Sequence, residues 1–209
     1  MRAVLATRNE HKVRELSELL RRVDLEPLPE DVQLPPETGT TFADNALVKA
    51  RVAAIATGLP AIADDSGIEA AALGGAPGVW SARYAGDDAT DEENLAKLMR
   101  DVPAGDRRVS YVCVLVYVEP GGREEVVHGR CDGTLADEPR GTGGFGYDPA
   151  FVPADLDDGR TMAELDQDEK DAISHRGRAA RALARKLQDL KADDDEAVGK
   201  RIRRRRRLP

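Results

Sequence analysis

The chain is poor in the residues that several common chemistries depend on. It has two cysteines in 209 residues, Cys113 and Cys131, each inside a strand-like apolar run and neither with a CxxC partner. Both read as reduced, packed thiols. Its three histidines, His11, His128 and His175, have no ligand spacing to one another or to a cysteine, which excludes a zinc site. No GxSxG elbow is present, and Ser66 sits in DDSGI, which excludes a serine hydrolase. No apolar run reaches membrane-spanning length. The opening MRAVLATRNE reads as a strand entering a loop, not as the charged start and apolar middle of a secretory leader. The expectation is a cytoplasmic protein without a membrane partner.

Charge of one sign is also scarce where it matters. The formal net charge is −8, but Lys200 to Arg207 carries seven of the 31 basic residues. Residues 1–199 therefore hold 24 basic against 39 acidic groups, a net −15. Such an acidic body is a poor partner for nucleic acid. The tail, residues 191–209, reads as a charged, disordered extension that has almost nothing to bury, with a tail-mediated contact left open.

What is present is an alternation of strand and helix signals. Arg2 to Ala6 is a short apolar strand, and Val13, Leu16, Leu19, Leu20 and Val23 recur at helical spacing over Lys12 to Val23. Thr41 with Asp44 caps an alanine-rich helix that stops at Gly58, and Thr90 to Glu93 is a capping box for another. Pro60 to Ala63 reads as a strand that Ser66-Gly67 turns. Val109 to Val118 is apolar on both faces and predicts a central, doubly covered strand, turned by Glu119–Gly122 into a partner over Glu124 to Gly133. A last helix is expected from about Ser174 to Leu190, burying Ala179, Ala180, Leu183, Ala184 and Leu187. The fold class is α/β with a mixed sheet, and no linker separates two autonomous domains.

Four segments carry chemistry beside the acidic pair Asp64-Asp65, whose type suits a divalent metal and its water. Thr7-Arg8-Asn9-Glu10-His11-Lys12 lies between the first strand and helix, where free backbone N–H groups and a positive helix end suit phosphate. Glu37 precedes a Thr-Gly turn, and Lys49 lies on the following helix. Gly141-Thr-Gly-Gly-Phe-Gly-Tyr-Asp-Pro149 lets backbone approach a flat ligand and supplies two rings in a chain with 4% aromatics. Lys170, His175 and Arg176 gather at a helix start, where an anion, or else Asp168, Glu169 and Asp171, would offset them. Arg83 follows in GVWSARYAG. Each segment taken alone also fits an ordinary solvated loop or cap.

Together, and in this order, the segments LATRNEHKVREL, ETGTTFADNALVKA, AIADDSGIEAAALGGAPGVWSARYAG, GTGGFGYDPAFVP and DEKDAISHRGRA resemble the family of inosine/xanthosine triphosphate pyrophosphatases. The resemblance implies an elongated mixed sheet flanked by helices, in a single two-lobed domain over residues 1–190, with a central substrate cleft and a homodimer. It implies Mg²⁺-dependent hydrolysis of noncanonical purine nucleoside triphosphates (ITP, dITP, XTP) to the monophosphate and pyrophosphate. Thr7, Arg8, Asn9, Glu10, His11, Lys12 and Lys49 would take the triphosphate, with Arg83 as a further phosphate contact. Glu37, Asp64 and Asp65 would hold Mg²⁺, Asp65 also being the general base, with Ser66 on the substrate beside it. Phe145, Gly146, Tyr147, Asp148, Lys170, His175 and Arg176 would form the base pocket. The alternatives are the same reaction on another modified nucleotide, or a non-catalytic binder using the arginine tail. Arg8 stands where the family usually has glycine. Either the loop is strained there, or the side chain adds charge.

Overall fold

One mixed six-stranded sheet organises the chain, in the order β2-β1-β3-β4-β5-β6. The computed structural model describes residues 1–205, with side chains described through residue 192. β1 (Arg2–Leu5) lies parallel to both β2 (Asp24–Pro27) and β3 (Ala61–Ala70). β4 (Arg108–Val118), β5 (Glu124–Leu135) and β6 (Phe151–Pro153) then add antiparallel.

Helices cover both faces. α1 (Glu10–Leu19) and α5 (His175–Arg205) pack on one, where Leu16, Leu20, Ala179, Ala180 and Leu183 meet Ile62, Cys113 and Leu115. α2 (Phe42–Thr57) covers the other, laying Ala46, Ala50, Ala53 and Ala54 against Ala61, Ala63, Val114 and Val116. Its alanines let it sit close to the strands, and it starts and stops where its caps require. Thr41 accepts from the Asp44 N–H, and Gly58 closes the helix at φ 68°. A third cluster fills the far lobe around Ile68, Val109, Tyr111 and Phe151 under α3 (Asp91–Asp101), which opens on the Thr90–Glu93 capping box. α4 (Gln167–Ile173) leads into α5. Among the described residues no helix is long and apolar enough to cross a membrane.

Three local expectations change. Ser66-Gly67 does not turn the chain, because β3 runs straight through it to Ala70. Gly67 is needed for close approach instead: a Cβ there would strike the Ser81 hydroxyl and the Gly78 carbonyl. The first helix starts at Glu10 and ends at Leu19, because Asn9 caps it and β2 claims the residues after Val23. β5 extends past Gly133 to Leu135, where it pairs with β6. The expectation for residues 191–209 falls largely on residues whose side chains lie outside the described ones.

The feature that positions the site is a mismatch in strand length. β1 pairs with β3 only at Val4–Ala61 and Leu5–Ile62, whereas β3 continues for eight more residues. Beyond Ile62 that edge of β3 has no β1 neighbour, and a cleft opens there.

Candidate active site

The cleft holds a cavity of about 410 Å³, a size usual for small-ligand sites. One wall is the loop leaving β1. Thr7 Oγ1 accepts from the Asn9 N–H at 3.2 Å, and Asn9 Oδ1 accepts from the Lys12 N–H at 3.1 Å, which caps α1. Thr7, Arg8, Asn9, His11 and Lys12 all line the cavity at the positive end of that helix. Glu10 does not line it.

Adjacent strand residues point to opposite faces, and this separates the acidic pair. Asp65 turns toward α2 and the cavity, where its Oδ2 accepts from Asn45 Nδ2 at 2.9 Å and its Oδ1 from the Ser66 N–H at 2.9 Å. Lys49, buried on α2, ion-pairs with Glu37 at 2.5 Å. Burial pushes the Asp65 carboxyl above the ordinary carboxylate range, and the Glu37 charge adds to it against the opposing pull of Lys49. Burial works to lower the Lys49 ammonium, but the carboxylates of Asp64, Glu37 and Asp65 outweigh it and raise its pKa.

Asp64, expected on the metal beside Asp65, instead faces α1 and α5 and is 0% exposed. Lys12 Nζ sits 2.9 Å and Arg176 Nη2 3.7 Å from its Oδ2. Burial would raise this carboxyl. Lys12 and Arg176 override that and hold it well below the usual range. Asp64 therefore stays ionised behind the cavity wall.

At the other end, glycines at positive φ shape the loop that carries Phe145 to Asp148. Gly144 has φ 71°, and a Cβ there would collide with the Asp148 carboxylate. Asp148 Oδ2 accepts from the Phe145 N–H at 3.0 Å, and its Oδ1 accepts from Tyr111 Oη at 3.0 Å. Gly146 N–H donates to Asp91 at 2.8 Å, and Tyr147 Oη donates to the Ser81 carbonyl at 2.7 Å. Four anchors thus order a glycine-rich segment. The Phe145 ring stacks with His11, centroids 4.9 Å apart, and Lys170 and Arg176 lie 5.3 and 5.5 Å from it.

Lys170, His175 and Arg176 converge as expected, but residues far in sequence neutralise them. Lys170 Nζ lies 2.8 Å from both Glu15 and Asp148, and Arg176 Nη1 lies 2.6 Å from Glu15. Arg176 Nη2 also donates to Ser66 Oγ at 3.0 Å. Neither Asp168, Glu169 nor Asp171 takes these cations in the ion pairs found, and Glu169 pairs with Arg160. His175 stacks on Tyr111 at 4.5 Å. Burial, with Arg176 and Lys170 nearby, holds its imidazole neutral by pushing its pKa well below the ordinary value.

Arg8 is not strained, since no non-glycine residue among those described has positive φ. Its guanidinium donates to the carbonyls of Leu28 at 2.8 Å, Pro29 at 2.6 Å and Val32 at 3.0 Å. Arg83 lies outside the cavity lining, donates to the Glu37 carbonyl at 2.9 Å, and covers the Trp80 ring. Sequence reading missed Glu15, Asn45 and Tyr111. Glu15 had one available signal, a carboxylate one residue from Leu16 in an amphipathic helix. Asn45 and Tyr111 had none.

Comparison with known proteins places the chain in a family. The Ham1 family model matches residues 3–186. A dITP/XTP pyrophosphatase of Shigella flexneri is 52% identical over 191 residues, covering 87% of this chain and 95% of that protein. One of Symbiobacterium thermophilum is 53% identical over 194 residues, covering 91% and 95%. The structure of a HAM1 protein from Coxiella burnetii superposes with a TM-score of 0.82 at 46% identity, covering 90% of this chain and 99% of that one. By the length of the family match and the level of identity, this chain belongs to the Ham1 family.

Proposed function

We propose that the cavity is the active site of a Mg²⁺-dependent pyrophosphohydrolase. It removes noncanonical purine nucleoside triphosphates (dITP, ITP, XTP) from the nucleotide pool as monophosphate and pyrophosphate. The observation that carries this reading is that one cavity joins two chemically different ends. Thr7, Arg8, Asn9, His11 and Lys12 line it together with Asp65, Glu37 and Lys49 and with Phe145 to Asp148, Lys170 and Arg176.

Glu37 and Asp65 fit a hard divalent cation. Both are oxygen donors, and with Lys49 as their shared cation the two carboxylates keep a net negative charge. Two carboxylates, with phosphate oxygens and waters completing the shell, is how Mg²⁺ is commonly held. When bound, the ion neutralises phosphate charge. Among the described residues no three His, Cys, Asp or Glu side chains group closely enough to hold a metal by themselves. Asp65 takes the proton of the water that attacks the α-phosphorus. Asn45 and the Ser66 N–H fix its two oxygens while leaving each a lone pair. Lys49 and Lys12 supply charge to the phosphates, and Asp64 anchors Lys12 from behind.

Choice against adenine follows from donors, whereas guanine shares the 6-oxo group and must be turned away by other contacts. Lys170 and Arg176 can only donate, so a 6-oxo group finds a partner where an adenine 6-amino group would leave a buried donor unpaired, at roughly 1–3 kcal/mol. Phe145 supplies the stacking face. A homodimer in the cytoplasm belongs to the same reading, and size-exclusion chromatography with light scattering tests the dimer. The function itself is tested by incubating the protein with Mg²⁺ and dITP, XTP, ATP or GTP and following products by phosphorus NMR. Monophosphate and pyrophosphate from dITP and XTP, with ATP and GTP nearly untouched, is the expected result. Orthophosphate, or no turnover of any nucleotide, would overturn it.

A further inference from the structure

Between β2 and α2 the chain crosses the cleft as an irregular strap, residues 28–40, which carries Glu37. Its own backbone bonds, among the described residues, are two tight turns: Val32 N–H to the Pro29 carbonyl and Thr38 N–H to the Pro36 carbonyl, each 3.1 Å. A segment so thinly bonded is held by what reaches it from outside. Three side chains reach its backbone, and Lys49 holds the Glu37 carboxylate. Arg8 binds the carbonyls of Leu28, Pro29 and Val32 at one end. Arg83 binds the Glu37 carbonyl near the other. Asn45 Oδ1 accepts from the Gly39 N–H at 2.8 Å while its amide nitrogen holds Asp65. Between the two arginines, Pro35 and Pro36 restrict the backbone that connects them.

We infer that Arg8 and Arg83 are positioning residues that bracket this strap and set Glu37 against Lys49 and Asp65, and are not phosphate contacts. The chemistry favours the arginine fork. Arg8 uses two guanidinium nitrogens to reach carbonyls spread over five residues, which a single ammonium cannot do. Arg83 is further fixed by its stacking 4.4 Å over Trp80, which holds it against Glu37 and outside the cavity lining. Arg8 thus ties the loop at the start of α1 to the metal-binding wall across the cleft. The inference rests on the pyrophosphatase reading for the use made of Glu37, but the bracket itself does not.

The test compares Arg8→Gln, Arg8→Lys and Arg83→Gln with the natural protein. Hydrogen exchange is read by mass spectrometry on nucleotide- and metal-free samples. Both Gln variants are expected to raise exchange over residues 28–40 by about 10-fold, the scale of one lost hydrogen bond, with the sheet unchanged. Arg8→Lys is expected to behave like Arg8→Gln. In steady-state kinetics with Mg²⁺ and dITP, kcat falls while KM stays within about 3-fold. Unchanged exchange, with KM raised and Arg8→Lys restoring it, would make Arg8 a phosphate contact and overturn the inference. Should Arg8→Gln unfold the protein, Arg83→Gln and Arg8→Lys carry the same comparison. Failure of the natural protein to cleave dITP would sink the pyrophosphatase reading and leave the exchange result to stand or fall alone.

Discussion

The two ends of the cleft are built on opposite electrostatic plans. At the base end the buried cations Lys170 and Arg176 are paired with Glu15, Asp148 and Asp64, so their charges are balanced before any ligand arrives, while Arg176 Nε and His175 Nδ1 keep no partner. At the catalytic end Lys49 is shared by Glu37 and Asp65, and Asp65 is left with a raised pKa. One end has its charges balanced. The other is short of positive charge. A base is recognised by shape and fixed donors, which need a finished pocket. A triphosphate arrives with its own metal, which needs a site left partly open. On the proposed function, the difference separates selection from chemistry.

Removing Glu15 is the sharpest way to break the charge-balanced end. Glu15→Ala leaves Lys170 and Arg176 each without its closest or equally close carboxylate, in a site where both are nearly inaccessible. Losing one partner from a buried ion-pair network typically costs about 3–5 kcal/mol. Asp148 and Asp64 remain, so a loss near 3 kcal/mol in chemical denaturation is expected. A loss under about 1 kcal/mol, the range of exposed pairs, would show that this end is not the closed network described.

Asp65→Asn breaks the other end in the opposite way. The amide keeps the shape and its one oxygen can still accept from Asn45 Nδ2 while the bond from the Ser66 N–H is lost, but it cannot take a proton. Turnover of dITP is expected to fall by at least about 100-fold, the scale of a lost general base, with denaturation midpoint and nucleotide binding kept. Turnover within a few fold of the natural enzyme would remove Asp65 from the chemistry.

The two ends were unequally legible from sequence. The glycines, rings and misplaced cations of Phe145 to Asp148 and of Lys170, His175 and Arg176 are conspicuous in sequence, but their joining into one pocket came from the family resemblance. Their counter-charge was not readable, because Glu15 lies 155 residues from Lys170 and looks like any helix glutamate. The Asp64-Asp65 pair was readable as a carboxylate site, but its division between two faces was not. Ser66-Gly67 has the local chemistry of a turn, and only the packing of Ser81 against Gly67 shows why glycine stands inside a strand. The central strand and the caps of α2 and α3 were plain, since their signals are local. Arg8 and Arg83 carry the same charge whether they meet phosphate or carbonyl oxygen. Sequence reading therefore identified the charge and left its partner open.

A smaller effect sharpens the comparison at the base end. His175 is buried and neutral in the folded protein, while an unfolded histidine gains a proton below about pH 6.5. Below that pH the unfolded state binds more protons, so stability falls as pH falls, by up to about 1.4 kcal/mol per pH unit. Asp65 and Asp171, whose folded pKa values are raised, act in the opposite direction and reduce the net slope. His11 and His128 are exposed. His175→Phe keeps a ring against Tyr111 and removes the titration, so the difference between the two proteins isolates the histidine. Denaturation at pH 7.5, 6.5 and 5.5 is expected to show the natural protein losing stability relative to the variant by about 1 kcal/mol over the last unit. Parallel curves would mean that His175 takes up its proton without leaving the fold, and that the base end is less tightly closed than its ion pairs indicate.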